Sequence, residues 1–327
     1  MGGCPVQTTK QPLKLLLSGG YGFLGRHTQE QLKSHNIEYL APTKSELNLL
    51  DDPDIILDYL LDNKVTHIIH LAAKVGGIGL NIDQPGKLTY VNLQMGLNLI
   101  EAARHAKIER FICIGTCCSY AANCSIPFQE EDFIQLNRYG PGMPEQSNSG
   151  YGLAKFILYK LLDDYKKQYG MDYVYLIPIN LVGPGDNFMD NSSHVVPALL
   201  KKMHLAKIQN LDNIELWGTG TATRSFLDVR DCANGIVNAI DFKETHHTTV
   251  FNLGTDVEIS IKDLADKIKN IIGFNGQIKF GGQYSDGQPR RRVSITRAKT
   301  YLNFQSNVSL EQSIKDSYEW WLQNDKQ

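Results

Sequence analysis

A doubly wound parallel α/β sheet followed by a smaller C-terminal α/β lobe is the fold this sequence predicts, and three observations predict it. A glycine-spaced turn, Gly19-Gly-Tyr-Gly22-Phe-Leu-Gly25, stands between a short apolar run and a helix-like segment near the N-terminus. Apolar runs of strand length then alternate with helix-like segments as far as Pro184. Beyond that residue the alternation breaks into shorter elements of mixed type. Alternating strands and helices build a parallel sheet through right-handed crossovers, which lay helices on its faces.

In chain order, residues 13–18 read as the first strand, the glycine turn follows, and residues 26–34 read as a helix. Strand, glycine turn and helix together make a dinucleotide-binding (Rossmann) fingerprint out of an otherwise weak motif. Gly19, Gly22 and Gly25 permit a tight turn and close backbone approach, and the helix N-terminus faces a pyrophosphate. Residues 37–40 form the second strand, ending at Ala41-Pro-Thr-Lys-Ser45. No Asp or Glu stands there to take the ribose hydroxyls, and Lys44 suits a 2′-phosphate, which points to NADP(H). Asp51, closing Leu47-Asn-Leu-Leu-Asp51, is a candidate contact near the adenine.

Residues 66–73 are another buried-looking strand, 89–105 a helix, and 110–115 the next strand, with Thr116 opening the loop at its carboxyl end. That edge of an open parallel sheet is where ligands bind. A helix over 151–169 and a strand over 173–179 follow. After Pro184, residues 195–206 look helical, 214–217 strand-like, and 224–229 return toward the sheet. Residues 250–253 are one more strand, and 261–272 and 310–323 are amphipathic helices. The expected division gives 11–183 and 225–254 to the dinucleotide domain and 184–224 and 255–325 to the second lobe. Residues 1–10 read as a disordered leader.

Composition narrows the function. A formal net charge of −2 gives no reason to expect a nucleic-acid or acidic-membrane partner. No apolar run reaches the roughly 18 residues of a membrane span. The six cysteines have irregular spacing and no zinc-like pairing with histidine. They read as reduced thiols of a cytoplasmic protein with no metal site.

The chemistry centres on Tyr151-Gly-Leu-Ala-Lys155. Residues four apart share one helix face, one turn apart. A lysine ammonium beside a phenol favours the phenolate and draws its pKa down from roughly 10, so Tyr151 is a candidate proton donor or acceptor during hydride transfer.

The glycine loop and the Tyr151/Lys155 pair resemble the extended short-chain dehydrogenase/reductases. More discriminating stretches are Ala73-Lys-Val-Gly-Gly-Ile78, Asn187-Phe with Ser193-His-Val-Val-Pro197, Trp217-Gly-Thr-Gly220 with Arg224, and Asp286-Gly287 with Pro289-Arg290. With these, nearly the whole chain is similar to the GDP-L-fucose synthases within that superfamily. The resemblance implies a GDP-linked 4-keto sugar as substrate, epimerised at carbons 3 and 5 and then reduced at carbon 4. It implies that Thr116 is the hydrogen-bonding hydroxyl, Tyr151 the proton donor and Lys155 the residue that tunes it. Cys118 and His194 match the epimerisation base and acid. Phe23, Leu24, Leu71, Ala72, Ala73, Asn180 and Val182 join the cofactor contacts; Lys202, Trp217, Arg224 and Arg290 would meet the nucleotide diphosphate, since cations suit oxyanions. A homodimer through the helices near 89–105 and 151–169 is also implied.

The chain departs from the family pattern at Tyr21, where NADP-using relatives often carry a basic residue, at Cys118-Ser-Tyr-Ala121 and at Val182. Three alternatives stay open: a GDP-4-keto-heptose reductase, an NAD-bound nucleotide-sugar 4-epimerase, and a nonenzymatic Rossmann redox sensor. An acidic pair after Thr116, typical of dehydratases, is replaced by Cys117 and Cys118.

Overall fold

Leu15, Leu16 and Leu17 are completely buried because the strand they form has a neighbour on each side in a sheet covered on both faces. The computed structural model describes residues 12–139, 144, 148–190, 192–243, 248–281 and 287–324. The expected leader over 1–10, and Asp286, therefore lie outside the described residues.

The first half runs β1 (Leu15–Ser18), α1 (Phe23–Ser34), β2 (Tyr39–Leu40), α2 (Pro53–Asp62), β3 (His67–His70), α3 (Ile78–Asp83), α4 (Pro85–His105), β4 (Arg110–Ile114), α5 (Glu130–Tyr139), α6 (Ser149–Tyr169) and β5 (Tyr173–Pro178). There follow β6 (Asn180–Val182), α7 (Val195–Ile208), β7 (Asn213–Trp217), β8 (Thr223–Arg224), β9 (Phe226–Asp228), α8 (Val229–Asn238) and β10 (Val250–Leu253). The chain ends through β11 (Ile259–Ser260), α9 (Ile261–Ile272), β12 (Gln277–Gly281), β13 (Arg290–Arg291), α10 (Thr296–Tyr301) and α11 (Leu310–Asn324). Local signals set several boundaries. Pro85 opens α4, where its missing N–H costs nothing. Gly170, at φ +72°, closes α6 in the left-handed conformation that glycine tolerates best. Ser260 caps α9 by accepting from the Asp263 N–H at 3.0 Å.

The main sheet has the order β10-β5-β4-β3-β1-β2, and every pairing is parallel. Between β1 and β3 the direction of winding reverses, which opens a crevice at the carboxyl ends of these strands. Helices α1 and α8 pack together on one side, while α2, α4 and α6 pack side by side. The β10 edge is closed by a side chain: Glu130 of α5 accepts from the Asn252 N–H at 2.9 Å. Burial pushes that carboxyl up to about 7.

A second hydrophobic cluster gathers Val182, Phe188, Leu200, Met203, Ile214, Phe226, Leu264, Ile268 and Trp321. Two placements differ from the sequence reading. Residues 226–228 do not rejoin the main sheet; β9 pairs with β6 in a separate two-stranded sheet instead. Residues 293–304, assigned from sequence to the second lobe, bury Val293, Ile295, Ala298, Leu302 and Phe304 in the first core, where α10 lies against β10. Among the described residues no helix is long and apolar enough to cross a membrane.

Helices α4 and α6 approach closely at Gly96. A Cβ there would lie 2.3 Å from Leu158 Cδ1 and 2.9 Å from its Cγ. Gly96→Ala should therefore destabilise the fold by about 1–3 kcal/mol despite the better helix propensity of alanine. The urea midpoint measures this, and a stabilised variant would contradict the packing.

Candidate active site

The crevice begins at the glycine turn. Gly19 has φ +74°, and a Cβ on it would lie 2.6 Å from the Ala72 nitrogen. A Cβ on Gly25 would lie 2.1 Å from the Gly19 carbonyl oxygen. These two positions let the loops after β1 and β3 touch and let α1 start directly against the turn. Gly22 caps α1 without a side-chain hydrogen bond, so the first N–H groups of the helix are suited to a pyrophosphate. Phe23 and Leu24 open that helix. Leu71, Ala72 and Ala73 follow β3, with the Leu71 N–H donating to the Ser18 carbonyl at 3.1 Å. The Rossmann cradle thus fits a dinucleotide.

Lys44 is exposed beyond β2. The Lys74 ammonium is held below its ordinary value, first by burial and then by Lys87 and Lys44, so three cations share this edge while Tyr21 points to solvent. Asp51 is engaged by Asn48, whose amide donates to it at 2.6 Å. Asn98 fixes the same loop by donating to the Leu49 and Asp51 carbonyls. Asn180 donates to the Ser225 carbonyl at 2.9 Å. Val182 differs from expectation: its side chain is buried in the second core, which leaves only its backbone for a ligand.

Opposite the cradle, α6 presents Tyr151 in its first turn and Lys155 one turn later. A Cβ on Gly152 would lie 2.3 Å from the Cys118 carbonyl oxygen, and Ser119 Oγ donates to the Gly152 carbonyl at 2.7 Å. The helix is thereby locked onto the short turn after β4. Thr116 Oγ1 accepts from the Cys118 N–H at 3.2 Å and caps that turn. Cys113 and Cys117 are buried beneath it, and none of the five described cysteines is in a disulfide. Lys155 is 1% exposed. Burial holds its ammonium below the ordinary value, partly offset by Cys113.

The expected depression of Tyr151 is reversed. Burial pushes its phenol well above the ordinary value, and the Cys118, Cys117 and Cys113 sulfurs add to the rise. Desolvation penalises a phenolate this deeply enclosed.

His194 is the N-cap of α7. Its Nδ1 lies 3.3 Å from Asp186 Oδ1. Burial works against the imidazolium, but the Asp186 hydrogen bond and charge, with a contribution from Cys118, raise it above its ordinary value. The segment carrying His194 is pinned from the other side, as the Gly77 N–H donates to the Ser192 carbonyl at 2.9 Å. A Cβ on Gly77 would lie 2.3 Å from the Ser193 oxygen.

The residues expected at the nucleotide diphosphate divide. Trp217 is 58% exposed at the end of β7, and Lys202 donates to the Glu215 carbonyl. Arg224 Nη1 donates to the Thr223 carbonyl at 2.8 Å. Arg290 is committed elsewhere: its Nε and Nη2 meet Glu258 at 3.0 and 2.6 Å and hold that carboxyl at about 2. Its neighbour Arg291 is the one turned inward, 7% exposed, with Nη1 3.6 Å from Cys118 Sγ. Sequence reasoning missed Arg291 and Asp186. The alternation of side chains along a strand is the signal that separates Arg291 from Arg290.

The model of the NAD dependent epimerase/dehydratase family matches residues 15–254. The chain belongs to that family. Among curated members, a GDP-L-fucose synthase of Sinorhizobium fredii is 35% identical over 95% of this chain and 96% of its own. A GDP-6-OMe-4-keto-L-xylo-heptose reductase from C. jejuni superposes with a TM-score of 0.85 at 25% identity, covering 97% of this chain and 99% of that one. A GDP-L-fucose synthetase from Naegleria fowleri bound to NADP gives 0.83 at 27%, covering 96% and 94%.

In Asp186→Asn the His194 imidazole loses its anionic partner and should titrate at lower pH than in the wild type. Histidine NMR titration reads this directly; an unchanged midpoint would detach Asp186 from His194.

Proposed function

We propose that the protein is an NADPH-dependent 3,5-epimerase/4-reductase of a GDP-linked 4-keto sugar, of the GDP-L-fucose synthase type. The observation that carries this reading is the seating of the helix that bears Tyr151 directly on the Cys118 turn, Gly152 against the Cys118 carbonyl. We read the reduction pair Tyr151/Lys155 and the epimerisation pair Cys118/His194 as sharing one crevice there. The likeness to a GDP-L-fucose synthase over almost the full chain supports the same substrate class.

A ketone at carbon 4 acidifies the hydrogens on carbons 3 and 5. Cys118 takes such a proton, the C–H electron pair passes onto the ketone oxygen as an enolate, and His194 returns a proton to the opposite face. A thiol and an imidazole both titrate close enough to neutrality for this exchange. Gly19, Gly22, Gly25 and the 71–73 loop would hold the dinucleotide, with Lys44 and Lys74 on the 2′-phosphate side. When bound, the reduced nicotinamide supplies hydride to carbon 4. Thr116 orients the carbonyl oxygen and Tyr151 protonates it. The raised Tyr151 suits this role, because the phenol still carries its proton at neutral pH.

The second lobe, over 184–224 and 255–325 apart from the stretch that returns to the first core, is read as the nucleotide-sugar side. Trp217, Lys202 and Arg224 lie there.

The deciding experiment is an incubation with GDP-4-keto-6-deoxymannose and NADPH in heavy water, followed by NMR. GDP-fucose with deuterium at carbons 3 and 5 is expected, and Cys118→Ser should slow that exchange by about 10²-fold or more. Unchanged exchange in the variant would assign the base elsewhere. Reduction without deuterium would favour a GDP-4-keto-heptose reductase, a second reading supported by the 0.85 superposition and by the divergent 118–121 wall.

We also read α4 and α6 as a pairing surface between two copies, since Tyr90 and Ile157 are exposed on them. Sedimentation at micromolar concentration should give a dimer, and a monomer would remove the surface from consideration.

A further inference from the structure

We propose that Arg291 is a positioning residue for Cys118, holding its sulfur as a thiolate aimed at the substrate. The inference rests on the reading of Cys118 as the epimerisation base. Its warrant is the arrangement of two very short strands. β13 pairs with β8 in parallel register, Arg290 with Thr223 and Arg291 with Arg224. Partners in a parallel ladder share a face, and successive residues alternate. On one face Thr223 and Arg290 both donate to Glu258. Arg224 and Arg291 occupy the other face, and both guanidiniums act on the Cys117–Cys118 turn.

Arginine carries only donors and does not deprotonate in proteins. At the 3.6 Å contact sulfur is therefore the acceptor, and an anionic sulfur is the better one. The Arg291 side chain is buried, and its Nε donates to the Gln288 amide oxygen at 3.3 Å, which fixes the direction of the fork. The other groups around the sulfur are consistent with a single thiolate. Cys117 is pushed well up, first by its hydrogen bond to Cys118 and then by burial, and stays a thiol. Tyr151 from α6 keeps its proton, and His194 from the start of α7 is biased toward imidazolium. A cation beside a cysteine is the general means of lowering its pKa.

The test is alkylation by iodoacetamide, followed against pH with the Cys118 adduct resolved by mass spectrometry. In the wild type the reaction should have a midpoint below the ordinary thiol value of about 8.5. Arg291→Gln should slow it about ten-fold at pH 7, and Arg291→Lys, which keeps the charge, should restore most of the rate. Deuterium exchange into substrate at pH 7 should fall in parallel in Arg291→Gln and recover toward pH 9, with KM little changed. A wild-type midpoint at or above 8.5 would overturn the proposal, and this decides the matter even where Arg291→Gln fails to fold. A raised KM with an unaltered alkylation profile would also overturn it, giving Arg291 to substrate binding alone. Failure of the base reading is separate: Cys118→Ser would then exchange normally, whereas the alkylation profile still reports what Arg291 does to the sulfur.

Discussion

The close seating of α6 on the turn after β4 is the contact on which the rest of the site depends. Gly152 has no room for a side chain against the Cys118 carbonyl, and Ser119 ties the two segments with a hydrogen bond. Because the turn follows β4 and the helix leads into β5, the neighbouring strand, this seating places Tyr151 and Lys155 beside Thr116 and Cys118 without any long flexible arm. Gly96 allows an equally close approach in the next layer, where α4 backs α6. Rigid support of this kind is what acid–base chemistry needs, since displacements of an ångström separate productive from unproductive geometry.

Burial then decides the protonation states. The same desolvation that keeps the Tyr151 phenol neutral also lowers the Lys155 ammonium, so neither residue can be understood from the i, i+4 pair alone. His194 escapes this trend only because Asp186 is almost wholly enclosed beside it. A phenol that keeps its proton, an imidazole biased toward imidazolium and a guanidinium beside the Cys118 sulfur are what is expected where titratable groups are driven apart to serve different roles.

Much of this was legible in the sequence. The glycine turn, its flanking strand and helix, and the β4 and α6 segments were placed correctly because each has a strong local signal: a turn demanding glycine, an apolar run, an amphipathic repeat. What was not legible depends on pairing between distant segments. Residues 226–228 found their partner in β6 rather than in the main sheet, and no local pattern encodes that choice. That Arg291 rather than Arg290 turns inward is a register effect, one residue wide, which flips a side chain to the other face. The stretch 293–304 looks like a piece of the second lobe by order alone, yet its apolar residues complete the first core. The direction of the Tyr151 perturbation required knowing how deeply α6 is enclosed.

The closed ends of the sheet carry a consequence for the behaviour of the molecule in a crowded solution. At one end β2 offers only two residues. At the other, β10 is wholly buried, and its Asn252 N–H is already occupied by the Glu130 carboxylate. A free strand edge is the usual template for strand-by-strand growth between chains. With β2 this short and the β10 edge engaged by Glu130, the main sheet offers little template for strand-by-strand growth between chains, a useful property for a chain whose net charge is close to zero.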